Sequence, residues 1–99
     1  KTTEYFPQAN VYNYPNPVGS GETFIRFFVS EDSDIFVKIL ALAGDFVADL
    51  KGYGQGGMDG EIKWSVGDIQ SGIYLARVEA KSIVSGKSDH KIIKIAIIK

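Results

Sequence analysis

Alternation with a period of two residues runs through this 99-residue sequence and leaves almost no room for a helical pattern. In Thr23–Ser30, Ile25, Phe27 and Val29 fall on one side of an extended chain, with Phe24, Arg26 and Phe28 on the other. Asp34–Leu42 sets Ile35, Val37, Ile39 and Ala41 against Phe36, Lys38 and Leu40, and a shorter run covers Phe46–Leu50. Glu61–Trp64 opposes Ile62 and Trp64 to Glu61 and Lys63; Gly72–Ala80 opposes Tyr74, Ala76 and Val78 to Arg77 and Glu79. Lys91–Lys99 groups Ile93, Ile95 and Ile97 opposite Ile92, Lys94, Ala96 and Ile98. Side chains of a strand point alternately to the two faces of a sheet, and β-branched and aromatic residues suit a pleated, half-buried surface.

Turn signals separate these runs at the intervals of antiparallel neighbours. They are Val18–Gly21, Glu31–Asp34, Ala43-Gly44-Asp45, the glycine-dense Gly52–Gly60 and Ser85–Asp89. The third turn is short enough for a tight hairpin, whereas Gly52–Gly60 reads as a mobile connection crossing between sheets. Asn10–Tyr14 makes a first strand, ended by Pro15-Asn16-Pro17, and proline there places it at a sheet edge. About seven strands result, so the expected fold is an all-β, immunoglobulin-like antiparallel sandwich over residues 10–99, with residues 1–9 a linker remnant. Tyr74, two residues after Gly72 at a strand entrance, has the spacing of a tyrosine corner, in which the phenol bonds back to upstream backbone. A plain buried tyrosine is the alternative.

The sequence contains no cysteine, which removes disulfides, thiolate nucleophiles and Cys-type zinc sites together. A net charge of −1 gives no general attraction to nucleic acid or to a membrane surface. No apolar run approaches the roughly 20 residues of a membrane helix. The first residues lack the apolar segment of an export signal, so an exported parent would carry that signal upstream.

Catalytic constellations are equally scarce. His90 is the one histidine; it stands beside Asp89 and reads as a turn residue ahead of the last strand, with no nucleophile assigned to it. None of the serines lies in a G-x-S-x-G context. Glu31-Asp32-Ser33-Asp34 is the best calcium candidate but lacks the loop pattern of a calcium site. Gly54-Gln55-Gly56-Gly57 is followed by a strand instead of the helix that a phosphate cradle needs. Tyr12, Tyr14, Tyr53 and Trp64 would make a sugar-stacking platform, although the alternation places Trp64 in the core. We therefore expect no catalytic residue, metal or cofactor.

Two features exceed the needs of a plain sandwich. Phe24, Phe28, Phe36, Leu40, Ile92 and Ile98 make the nominal outer faces apolar, which calls for a cover. Residues 81–99 hold Lys81, Lys87, Lys91, Lys94 and Lys99 against a single acid, Asp89.

Taken in order, Val11–Pro17, Val37-Lys38-Ile39 leading to Gly44, Ser71-Gly72-Ile73-Tyr74 with Arg77-Val78, and the Lys/Ile-rich terminal strand resemble the C-terminal sorting domain of type IX secretion substrates. The order and spacing are also similar to the Ig-like domain of the flagellar hook-capping protein. The resemblance implies that Pro15, Asn16, Pro17, Gly44, Gly72 and Tyr74 are family motif positions. It further implies that Lys91, Ile92, Ile93, Lys94, Ile95, Ile98 and Lys99 form a terminal recognition segment. The implied role is a non-catalytic sorting and anchoring module that passes through the periplasm and carries an upstream passenger to the cell surface. The implied partners are the secretion translocon and the surface-attachment machinery, with no nucleic acid and no direct membrane insertion. Cleavage is implied before the first strand, near Lys1–Gln8. An Ig-like spacer or interaction domain on a secreted enzyme is the alternative, followed by a carbohydrate-binding module.

Overall fold

The computed structural model describes residues 4–99. Seven strands follow in order: β1 (Tyr12–Tyr14), β2 (Glu22–Val29), β3 (Ser33–Ala41), β4 (Phe46–Gly54), β5 (Met58–Ser65), β6 (Gly72–Ser82) and β7 (Ser88–Ile97). They form a three-stranded sheet ordered β1-β2-β5 and a four-stranded sheet ordered β4-β3-β6-β7, and every paired neighbour is antiparallel. Each sheet turns one face inward, and the period-two runs decide which. Ile25, Phe27, Val29, Ile62 and Trp64 meet Ile35, Val37, Ile39, Tyr74, Ala76, Val78, Ile93, Ile95 and Ile97 in one core. The expected β-sandwich is the observed fold.

Three details differ from expectation. The glycine-dense stretch is almost wholly strand: β4 runs to Gly54, β5 starts at Met58, and only Gln55–Gly57 turns. The chain does cross between sheets there, as β4 pairs with β3 and β5 with β2. Glycine serves this crossing by absence of bulk. A Cβ on Gly60 would stand 2.5 Å from Cζ of Phe27, and one on Gly56 would stand 2.9 Å from Cα of Glu31. Gly60 thus leaves the Phe27 ring room over its own sheet, while from the facing sheet a Cβ on Gly54 would stand 3.0 Å from the same ring and 2.7 Å from Val29 Cγ2, so bulk there would hold the sheets apart.

The second difference concerns the expected linker. Phe6 is 1% exposed and belongs to the core, the backbone N–H of Ser30 donates to Tyr5 O at 3.0 Å, and Gln8–Asn10 forms a 3-10 turn. Tyr5 and Phe6 are adjacent and so form no period-two run, and alternation alone could not enrol Phe6. Lys1–Thr3, which share the expected linker and cleavage stretch, lie outside the described residues. Third, β7 begins at Ser88, placing His90 on the strand opposite Glu79 and not in a turn.

The β3–β4 hairpin confirms its turn chemistry. Gly44 N–H donates to Ala41 O at 2.8 Å, Ala41 N–H donates to Asp45 O at 2.8 Å, and Gly44 has a φ of 101°. We predict that Gly44→Ala destabilises the domain by about 1–2 kcal/mol through backbone conformation alone, since no atom lies within 4 Å of the added methyl. Gly60→Ala should cost about 1–3 kcal/mol by overpacking. Denaturant titration checks both, and Phe27→Leu in the same chain should offset part of the Gly60→Ala loss but none of the Gly44→Ala loss.

Candidate recognition surface

Alternation divides β7 between two roles. Ile93, Ile95 and Ile97 are buried, so Ile93 and Ile95 are inaccessible in the folded domain although both belong to the expected recognition segment. Ile92 and Ile98 are 56% and 62% exposed, and Lys94 is exposed on the same side. Lys91 is held back: its Nζ donates to the carbonyls of Gln8 (2.6 Å) and Val11 (3.3 Å). Lys99 is likewise engaged, its Nζ donating to Gly67 O and its backbone N–H to Ser71 Oγ, both at 2.9 Å. The freely presented part of the segment is thus Ile92, Lys94 and Ile98.

Neighbouring strands extend this row into a surface. Across the outer face of the four-stranded sheet, Leu75 pairs with Lys94 and Leu40, Leu40 pairs with Phe46, and Ile73 pairs with Ala96. Leu42, Phe46, Ile73 and Ile98 are all exposed, forming an apolar end to this face, whereas the exposed Ile92 lies farther along, opposite Arg77. Toward the other end lies a shallow groove lined by Phe36, Lys38, Asp49, Lys51, Arg77 and Glu79, where cations and acids alternate. Phe24 and Phe28, on the opposite sheet, are only half-exposed.

The motif Pro15-Asn16-Pro17 joins the two sheets. Both peptide bonds preceding its prolines are cis. From beneath, Thr23 Oγ1 donates to Pro15 O at 2.9 Å while accepting from Asn13 Nδ2 at 3.2 Å, and Asn13 Nδ2 also donates to Pro15 O at 3.3 Å. Asn13 and Thr23 are the buried polar pair that anchors the motif. From its outer side, Asn16 reaches β7: Nδ2 donates to Lys94 O at 3.2 Å and Oδ1 accepts from Ala96 N–H at 3.0 Å.

The late motif is equally physical. Tyr74 Oη donates to Gln70 O at 2.7 Å, the tyrosine corner expected from its spacing, and its ring meets Trp64 edge-on with centroids 5.9 Å apart. Trp64 is 3% exposed and so cannot join Tyr12, Tyr14 and Tyr53 in a sugar platform. At Gly72 a methyl would make only ordinary contacts with the Tyr74 ring, and nothing in the structure requires glycine there.

The acidic turn ties three loops together. Glu31 Oε1 accepts from Ser82 Oγ (2.7 Å) and Ser85 Oγ (2.6 Å), and Lys87 Nζ stands 3.8 Å from Oε2. Asp32 Oδ1 accepts from Gly56 N–H at 2.8 Å, and Ser33 Oγ lies 2.7 Å from Tyr5 Oη. Its carboxylates therefore serve the β4–β5 and β6–β7 turns. No group of three or more His, Asp or Glu among the described residues converges on a metal-sized space. No helix among them is long and apolar enough to cross a membrane.

Two predictions follow from these contacts. Tyr74→Phe should cost about 0.5–1.5 kcal/mol in denaturant titration, the net worth of one hydrogen bond. The Ser85 and Ser82 hydroxyls, aided by Lys87, hold the Glu31 carboxyl below its ordinary value. The Glu31 contribution to stability is complete above the unfolded-state pKa of about 4.3 and is lost as pH falls through the lower folded-state pKa. Thermal midpoints should therefore fall more steeply on acidification in the wild type than in Glu31→Gln.

Comparison with known proteins bears on the family of the domain. Dimeric latent PorU from Porphyromonas gingivalis contains a region of the same fold, with a TM-score of 0.72 and 26% identity over 89% of this chain and 9% of that one. The chain thus spans about 9% of the length of that protein. No curated protein matches the chain. The model of the secretion system C-terminal sorting domain matches residues 12–95, from β1 into β7. With most of its length matched, the chain belongs to the type IX secretion C-terminal sorting domain family, a family of sorting domains and not of catalytic ones.

Proposed function

We propose that this domain directs an exported passenger across the outer membrane to the cell surface, and that the secretion machinery reads the outer row of β7. The observation that carries this reading is the division of the last strand, with Ile93, Ile95 and Ile97 in the core and Ile92, Lys94 and Ile98 outward. Ile92 and Lys94 on the strand, with Ile98 one residue past its end, offer an apolar contact with a charge that fixes its orientation. The translocon and the surface-attachment machinery are the partners in this reading, and the periplasm is where the folded domain meets them. No residue of the domain has a catalytic task in it.

The alternative, a spacer that packs against its passenger, draws on the exposed Leu42, Phe46 and Ile73 at the apolar end of the same face.

The test fuses the whole chain to the C-terminus of a periplasmic reporter in a host with type IX secretion. Deleting the strand is the wrong control, because it strips Ile93, Ile95 and Ile97 from the core. Ile92→Asp with Lys94→Glu changes only exposed positions. Surface display of the wild-type fusion, reduced at least about tenfold by this pair at unchanged thermal midpoint, is the expected result. A wild-type reporter that stays in the periplasm would refute the sorting role. Unchanged display by the double variant would refute the β7 row as its reading surface.

A further inference from the structure

The five tyrosines divide by where their rings stand. Tyr5 and Tyr74 bond their phenols within the domain, to Ser33 Oγ and Gln70 O, and Tyr53 lies on β4 of the four-stranded sheet. Tyr12 and Tyr14 point outward together from β1, 48% and 69% exposed, with buried Asn13 between them. Their Cα atoms lie about 7 Å apart along a straight strand. The strand is held from beneath, as Asn13 Nδ2 donates to Thr23 Oγ1 at 3.2 Å and to Pro15 O at 3.3 Å. The pair is therefore set in place before any ligand arrives, and binding on it need not order a loop.

Polar groups of both kinds flank the rings across the sheet. Tyr12 stands in register with Arg26 and Glu61, and Tyr14 with Phe24 and Lys63. Arg26 Nη1 donates to Glu61 Oε1 at 2.7 Å, and Lys63 Nζ stands 3.8 Å from Glu22 Oε1. Charge narrows what can bind here. Glu22, Asp59 and Glu61 outnumber Arg26 and Lys63 on this face, so no net positive field draws a phosphate, a nucleic acid or an anionic lipid. A pyranose ring fits the remaining chemistry. Its face presents C–H groups, polarised by the neighbouring oxygens, to the negative face of an aromatic ring, while the hydroxyls at its rim both donate and accept.

We infer that the outer face of the three-stranded sheet binds a neutral, extended oligosaccharide, stacked on Tyr12 and Tyr14 with its hydroxyls on Arg26, Glu61 and Lys63. Trp64, buried beneath the same sheet, takes no part in it. Two rings in line on a straight strand suit an extended chain of sugars over a coiled one. The site lies on the sheet that does not contain β7, so it is independent of what reads the last strand.

The experiment titrates the full chain with cellohexaose, xylohexaose and mannohexaose, each followed by backbone amide shifts. At least one should move the amides of Tyr12, Asn13, Tyr14, Arg26 and Glu61 and leave those of β7 in place. Tyr12→Ala and Tyr14→Ala should each weaken that binding by about tenfold or more, the worth of one stacked ring. Arg26→Gln should weaken it about fivefold, and Tyr53→Ala should leave it unchanged. Tyr12→Leu and Tyr14→Leu keep apolar bulk without an aromatic face; they should lose binding as the alanines do, and they replace an alanine variant that fails to fold. Absence of any shift with all three sugars at millimolar concentration overturns the inference, as does full binding by the leucine variants. Shifts of the same amides by decaproline or by phosphatidylglycerol vesicles, with none from the sugars, would also overturn it and assign the face to a protein or a membrane.

Discussion

Two sheets that each present a single apolar face have no stable existence apart, and nearly everything in this domain answers to how closely those faces approach. At the end where β4 hands the chain to β5, the limit is the ring of Phe27. Gly54 stands against that ring from the facing sheet, and Gly56 against the backbone of Glu31. The crossing therefore takes only Gln55–Gly57, and the acidic turn and the β6–β7 turn gather over the same end. Glu31 and Asp32 then have definite work, accepting hydrogen bonds from loops that the close packing has brought within reach. Carboxylates that read as a calcium candidate in the sequence are in this sense a by-product of glycine.

The strands were legible because each carries its own record of which side is buried. Ile25, Phe27 and Val29, or Ile93, Ile95 and Ile97, need no knowledge of the rest of the chain to be paired with a core. The same reasoning failed wherever burial comes from a single residue in an irregular segment. Phe6, Val11, Val18 and Val66 are all buried between or beyond the longer strands, and none belongs to an alternating run. Glycine misled for a different reason. Its local preference is for turns, but at Gly52, Gly54 and Gly60 tertiary contact decides, and propensity gives way to it.

The candidate recognition surface was half legible. The lysine punctuation of the last strand and the order of the motifs were visible, and the family match over residues 12–95 agrees with the resemblance that the motif order carries. What sequence could not display was the fate of each lysine. Lys91 and Lys99 spend their ammonium groups on carbonyls of Gln8, Val11 and Gly67, while Lys94 does not share their engagement. Nor could it display why the proline motif encloses an asparagine. That becomes apparent only when Asn13 and Thr23 fix the Pro15 carbonyl and aim Asn16 at the neighbouring sheet.

The division of β7 has a bearing on fidelity. Its odd-numbered residues complete the core and its even-numbered ones face outward, so a slip of one residue in pairing would exchange the two sets entirely. A chain whose last strand is paired out of register then cannot show this outward row. A receptor that required that row would, by the same contact, be reading whether the last strand of this domain is paired in register.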